Sequence, residues 1–456
     1  MKYPVLWCCV ALSAGCASTS SWAGVLAVPG PGQVSALVVD LDTAEVVMAR
    51  EPDRLCRPAS TIKLLTTASI CRRDLDRAFR TRLVCDGETE GQITLVGDGD
   101  PLLSAADVRK LADSLARQGV RAARGPVRVV DPLRDAPRWG EGWMWDDEPS
   151  RFQPVLSAAS VDRGLVTVDL RGTARGLEVD LVPVAGALRV RVGGLGGAVK
   201  VTRGRYRDAD VVRVRGRLPE GASAQRRISV PDPARYAGHV VVDALRGAGI
   251  EVPAGAGVEV AGPQEVSAAV EAWCERAVAD VVLETNKASD NLSAEMLLRD
   301  LASVSELYPV ELGVESETIG LMTLDADLES IGVSQGAARI ADGSGLSHYN
   351  LLSADALVRL LVDMYERGGA GYALFQRSLP IAGRDGVLQG RMKGTWAEGR
   401  VRAKTGTISA ASHLAGYLET RSGRRLAFAI LCHDFVGSAQ PWRALQDRFC
   451  AAVAEL

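Results

Sequence analysis

Between about Thr81 and Gly262 the chain changes texture. The flanks mix strand-like and helix-like stretches. This middle is instead a run of short Val- and Arg-rich strand candidates broken by Gly and Pro, such as Val166-Thr167-Val168-Asp169-Leu170 and Val211-Val212-Arg213-Val214. A β-rich block with α/β sequence on both sides predicts an insertion into a domain built from the two ends of the chain. At 456 residues there is enough chain for two or three separate cores. Gly193-Gly194-Leu195-Gly196-Gly197, inside the block, lacks the glycine spacing and following helix of a phosphate loop and reads as a plain loop.

The flanks carry clearer periodicity. Ala36-Leu37-Val38-Val39-Asp40 and Glu45-Val46-Val47-Met48-Ala49 predict a hairpin around Asp42-Thr43-Ala44. Beyond the block, Ala272 to Thr285 and Ser289 to Ser303 read as successive helices, and Ser353 caps another that runs to about Arg367. Val401 to Gly406, Leu414 to Glu419 and Leu426 to Cys432 read as three strands, the last two joined by a Ser422-Gly423 turn. Gln440 to Leu456 predicts a closing amphipathic helix with Trp442, Leu445, Phe449 and Val453 on one side.

Pro58-Ala59-Ser60-Thr61-Ile62-Lys63 is where the chemistry is expected. The apolar run Leu64 to Ile70 that follows predicts a buried helix whose first turn carries Ser60. A spacing of three sets Ser60 and Lys63 one turn apart on one face, so an amine can reach a hydroxyl. A serine alcohol is a weak nucleophile until an adjacent base takes its proton, and a helix N-terminus favours the developing alkoxide. Average composition predicts about one Ser-x-x-Lys by chance in a chain this long. This chain, however, has only seven lysines, and Lys63 alone has a serine three residues before it.

The balance of 53 basic against 56 acidic residues, formal charge -3, gives no electrostatic footprint for nucleic acid. Lys2 followed by the apolar run Pro4 to Leu12 predicts an export signal, too short for a membrane span. Two processing readings compete. Leu12-Ser13-Ala14-Gly15-Cys16 resembles a lipoprotein box, with Ser13 where an aliphatic residue is usual, and Ser21-Trp22-Ala23 offers an ordinary cleavage site that makes 1–23 the signal peptide. Cys56, Cys71, Cys85, Cys274, Cys432 and Cys450 match no zinc pattern; disulfides and buried free thiols both remain open. His239, His348, His413 and His433 have no metal-ligand spacing and read as surface or packing residues. Neither a metal nor another cofactor is expected.

Two more patterns complete a constellation. Ser289-Asp290-Asn291 is Ser-x-Asn at a helix start, and of three asparagines only Asn291 has serine two residues earlier. Lys404-Thr405-Gly406 opens a strand. Ser-x-x-Lys, Ser-x-Asn and Lys-Thr-Gly in this order are the active-site set of penicillin-binding proteins and serine β-lactamases. The wider chain resembles the class C low-molecular-mass penicillin-binding proteins, exported D-alanyl-D-alanine carboxypeptidase/endopeptidases, over nearly all of the mature chain. Leu95-Val96-Gly97-Asp98-Gly99-Asp100-Pro101, Gly142-Trp143-Met144-Trp145-Asp146-Asp147-Glu148 and Asp342-Gly343-Ser344-Gly345-Leu346-Ser347 carry that resemblance, as does the long insertion between the first two motifs.

The resemblance implies an α/β (α+β), penicillin-recognising serine transpeptidase-like domain: a five-stranded antiparallel sheet with helices on both sides, interrupted by β-rich inserted domains. It implies catalytic parts at 24–80 and 265–456 around an insertion at 81–264, with an inner insertion at about 161–225. Ser60 would attack the carbonyl of the penultimate D-alanine, and Lys63 would accept its proton, with the charge of Lys404 pushing the Lys63 pKa down. Ser289 and Asn291 would relay a proton to the leaving amine, orient Lys63 or hold the substrate amide, in interchangeable roles. Lys404 would meet the terminal carboxylate, helped by Thr405, and Gly406 would leave room for the peptide. The Ser60 and Thr407 N–H groups would form the oxyanion hole, and Asp147, beside Phe152, would take the side-chain amine of the stem peptide.

Asp342-Gly343-Ser344-Gly345 is not Gly-x-Ser-x-Gly and reads as a tight turn near the site. The expected partners are peptidoglycan stem peptides and β-lactams in the periplasm or cell envelope, with lipid anchoring at Cys16 and a homodimer left open. A β-lactamase or D-esterase on the same scaffold and an inactive peptidoglycan-binding scaffold are the rival readings.

Overall fold

The computed structural model describes residues 24–456 apart from 184, 185, 187, 195, 205–207, 307 and 308. The expected export segment, Cys16 and the Ser21-Trp22-Ala23 site lie outside the described residues. The chain divides into two compact units, one of residues up to Arg73 with Leu283–Ser289 and Leu321–Leu456, the other of Asp74–Val282 with Asp290–Gly320.

In the first unit the two ends of the chain make one antiparallel sheet. Its strands run in the order Val401–Ile408, Ala411–Glu419, Arg425–His433, Gln33–Asp40 and Val46–Arg50. Both hairpin turns form where the turn residues stand. Asp40 Oδ1 accepts the Asp42 and Thr43 amides at 2.9 and 3.1 Å, and the Gly423 amide donates to Thr420 O at 3.0 Å with Gly423 at φ +86°.

Both faces of this sheet are buried, so its central strands are nearly continuous apolar runs. Ala36, Val38, Leu414, Phe428 and Ile430 pack with Trp442, Leu445, Phe449 and Val453 of the closing helix Gln440–Ala454. The helices Lys63–Cys71, Ala354–Arg367 and Gly369–Ser378 belong to the same unit, and Tyr417 Oη donates to Leu361 O at 2.8 Å. As expected, Ser353 caps its helix by accepting the Ala356 amide at 3.1 Å.

The second unit has its own sheet, mixed in direction, in the order Val258–Ala261, Val127–Val130, Ile93–Val96, Ala78–Cys85 and Val270–Ala277. Two crossover helices, Ala105–Arg117 and Pro233–Gly247, cover it with Val108, Leu111, Leu115, Val241 and Leu245 against Leu83, Leu95 and Val129. Two three-stranded sheets, formed from segments between Leu165 and Ser229, complete the β-rich texture.

Two expectations need correction. Val270–Ala277 is a strand, with the helix starting only at Val278 and running to Lys287. Its partner is Ala78–Cys85, nearly two hundred residues earlier, so a distant edge overrode the local helical pattern. Ser60 also does not stand in an α-helix: Ala59–Ile62 is a 3₁₀ turn, and the α-helix begins at Lys63. All six described cysteines are free thiols, and five are buried.

Candidate active site

The 3₁₀ turn is what aligns the first motif, because its residues i and i+3 eclipse one another. Lys63 Nζ thereby donates to Ser60 Oγ at 3.1 Å. Ala59, just before the serine, is at φ +48°, and the Thr61 amide closes the turn on Pro58 O at 3.2 Å. Every residue of Lys63–Cys71 is buried, so the lysine is held from all sides.

The turn expected at Asp342 lies against this segment. The Asp342 carboxylate, fully buried, accepts the amides of Gly345 at 2.8 Å and Ser347 at 2.7 Å and the Asn350 side chain at 2.7 Å. So folded, the loop turns two carbonyls onto the helix that follows Ser60: Ser344 O accepts from Lys63 Nζ, and Gly343 O accepts from Thr66 Oγ1 at 2.8 Å. The sequence carries no signal for that first contact, since every residue owns a carbonyl.

Lys404 is fully buried on the edge strand Val401–Ile408. Its ammonium donates to Ser289 Oγ at 2.8 Å and to Thr405 O at 2.9 Å. Burial first, and then the charge of Lys63, hold its pKa well below that of an ordinary lysine. Ser289 sits at φ +58° between two helices, and the preceding residues are anchored by Lys287, which donates to Leu379 O at 2.6 Å and pairs with Asp385 at 2.7 Å.

Gly406 serves a closer neighbour than the one expected. A Cβ there would lie 2.7 Å from Pro58 O and 3.0 Å from the Thr61 amide, so its space is taken by the nucleophile's own turn. Residues 380–382 pair with the strand only at its start, through Ala382 N to Val401 O and Ala403 N to Pro380 O, both 3.0 Å. From Lys404 to Ile408 the outer edge makes no backbone hydrogen bond among the described residues. The structure thus brings Ser60, Lys63, Ser289 and Lys404, with Thr405, Gly406 and Thr407, into one unit.

The remaining expected residues belong to the other unit. Asn291 opens the helix Asn291–Ser303, capped by Asp290 through the Ser293 amide at 2.8 Å, and its Nδ2 donates to Phe152 O at 2.6 Å. Asp147 is exposed in the 3₁₀ turn Trp145–Asp147, and the next residue, Glu148, is tied by an ion pair to the buried Arg203. Phe152 is 53% exposed, with the Arg151 guanidinium 4.4 Å over the centre of its ring.

Of the histidines, His413 and His433 are buried in the first sheet, where His413 Nε2 meets Arg57 O at 2.8 Å and His433 Nε2 meets Ser35 Oγ at 3.3 Å. They pack. Sequence reasoning missed Arg443, whose Nη2 donates to Thr407 Oγ1 at 3.4 Å from the closing helix.

Residues 21–450 match the family model described as the D-Ala-D-Ala carboxypeptidase 3 (S13) family. The chain is 33% identical over 452 residues to the D-alanyl-D-alanine carboxypeptidase of an Actinomadura species, covering 93% of this chain and 82% of that one. It is 24% identical over 422 residues to D-alanyl-D-alanine carboxypeptidase DacB of Haemophilus influenzae, with 88% and 85% covered. The crystal structure of penicillin binding protein 4 from Haemophilus influenzae superposes with a TM-score of 0.78 at 20% identity, over 96% of this chain and 99% of that chain.

Proposed function

Because the chain belongs to the D-Ala-D-Ala carboxypeptidase 3 (S13) family, we propose that it is a serine D,D-peptidase that cleaves D-alanyl-D-alanine bonds of peptidoglycan stem peptides through an acyl-enzyme on Ser60. One observation carries the assignment of the nucleophile. Lys63 Nζ is 3.1 Å from Ser60 Oγ at a buried site where a second lysine already holds Ser289.

Two buried ammonium groups repel each other, so the site favours a state in which one lysine is neutral. A neutral Lys63 takes the Ser60 proton as Oγ attacks the carbonyl carbon of the penultimate D-alanine. The tetrahedral oxyanion is held by the N–H groups of Ser60 and Thr407. The C–N bond then breaks as Ser289 gives its hydroxyl proton to the leaving amine and is reprotonated by the Lys63 ammonium, which leaves Lys63 neutral. Water, giving a proton to Lys63, then attacks the ester carbonyl, and that proton returns to Ser60 Oγ as the acid leaves. A β-lactam acylates the same oxygen but keeps its leaving amine tethered, so its ester persists. In this reading 81–264 is an insertion into the catalytic domain, and it supplies Asp147 for the stem-peptide amine, next to Phe152. Crosslink D-alanyl-diamino acid bonds are within reach of the same chemistry.

No helix among the described residues is long and apolar enough to cross a membrane. In this reading the enzyme works where its substrate lies, in the periplasm or cell envelope. Intact-mass measurement after incubation with benzylpenicillin should show one covalent adduct on the wild type and none on Ser60→Ala. An adduct that survives the substitution refutes the assignment, and an adduct that hydrolyses within seconds favours a β-lactamase on the same scaffold.

A further inference from the structure

Ser289 stands at φ +58° just beyond the end of the helix Val278–Lys287, so its position is inherited from whatever fixes the last turn of that helix. The partly exposed ion pair of Lys287 with Asp385 is one hold. Another is Asn286, which is 0% exposed. Its Nδ2 donates to Thr67 Oγ1 at 3.0 Å and to Ser378 Oγ at 2.8 Å. A single amide thus ties the turn before Ser289 to the helix that begins with Lys63 and to the end of the helix Gly369–Ser378.

The partners dictate which way that amide faces. A hydroxyl has one proton to give. Thr67 Oγ1 spends its proton on Lys63 O at 2.6 Å, and Ser378 Oγ spends its own on Phe375 O at 2.6 Å. Both oxygens have only lone pairs left to offer, so only the NH2 end of Asn286 fits between them. Its Oδ1 is then left buried with no partner among the described residues. An unpaired buried acceptor destabilises a fold, and an apolar side chain of similar size would avoid it, so stability alone does not account for an asparagine here. What the amide does set is the distance from the Lys63 helix to the turn that ends in Ser289. The Lys63 helix has other holds, through Ser344 O and Gly343 O. Ser289 Oγ accepts from Lys404 Nζ at 2.8 Å, which leaves its own proton to be given.

We infer that Asn286 is a positioning residue, which fixes Ser289 relative to the Lys63 helix so that its hydroxyl can protonate the leaving amine. The inference rests on the D,D-peptidase reading above. It concerns one step only. Lys63 takes the Ser60 proton whatever the leaving group, whereas the Ser289 proton is needed only where the leaving group cannot depart as an anion.

The test gives the full chain two substrates that form the same acyl-enzyme on Ser60: a peptide ending in D-alanyl-D-alanine, and its thioester analogue with mercaptoacetate in place of the terminal D-alanine. The amine leaves only with a proton, and the thiolate leaves without one. Because kcat/KM ends at the acyl-enzyme, deacylation does not enter the comparison. Asn286→Leu should lower kcat/KM on the peptide roughly 10- to 100-fold and stay within about threefold of wild type on the thioester. Ser378→Ala, which removes one acceptor of the amide and keeps Thr67, should show the same split at smaller size. A loss of stability lowers both rates together, since both substrates meet the same fold. Equal losses on peptide and thioester, or no loss on either, overturn the inference. If Asn286→Leu does not fold, Ser378→Ala decides by the same comparison. If wild type consumes neither substrate, the D,D-peptidase reading fails, and this inference with it.

Discussion

His413 is paired with Gly406 across the sheet, 1% exposed, with one ring nitrogen on Arg57 O at 2.8 Å. Burial is the main cause that pushes its pKa down from 6.5 to about 4, so the fold holds the ring neutral. Above pH 6.5 neither the folded nor the unfolded chain protonates it. As pH falls from 6.5 toward 4 the unfolded chain takes up a proton that the folded chain refuses, and stability is lost across that window, by about 3 kcal/mol in all. Denaturant titrations of wild type and His413→Gln between pH 7 and pH 4 check this. The variant should lose markedly less stability over that range, and parallel curves would show that the ring does not control it. Lys404 is buried like His413, and burial first, then the charge of Lys63, lowers its pKa, while Ser289 Oγ and Thr405 O accept from its amine.

Loops rather than long elements set the nucleophile's position. Gly345 approaches the chain before Ser60 so closely that a Cβ would lie 2.0 Å from Ala59 O and 2.9 Å from the Ser60 amide, at φ +84°. Both neighbours are backbone and cannot swing aside. Gly345→Ala should therefore lower stability by about 2–4 kcal/mol, from overpacking and left-handed strain together, and slow acylation of Ser60 as the turn is displaced. Gly423→Ala is the control. Gly423 has nearly the same φ, +86°, but open space around it, so its variant pays about 1 kcal/mol of backbone strain and keeps its acylation rate. Equal effects of the two substitutions on acylation would mean that the approach of Gly345 to Ala59 does not position the nucleophile.

At the scale of the whole molecule, the expected site residues divide between the two units. The first unit holds Ser60, Lys63, Ser289 and Lys404, and Asp147 belongs to the second. If Asp147 takes the stem-peptide amine, Asp147→Asn should lower kcat/KM on a diamino-acid-containing peptide roughly 10- to 100-fold and leave penicillin acylation nearly unchanged. A parallel fall in both rates, or no change in either, would reduce Asp147 to a turn residue. Much of this was legible in the residues themselves. The three motifs, the terminal hairpins with their Asp42-Thr43-Ala44 and Ser422-Gly423 turns, and the amphipathic closing helix each depend on neighbours a few positions away, so local spacing suffices to reveal them. Tertiary structure alone decided the rest. Val270–Ala277 is a strand because Ala78–Cys85 lies alongside it, Lys63 meets a carbonyl because Asp342 folds a loop far along the chain, and Arg443 reaches Thr407 because a helix packs across the sheet. Backbone carbonyls and long-range pairings leave no mark on residue type, which is all that a sequence records.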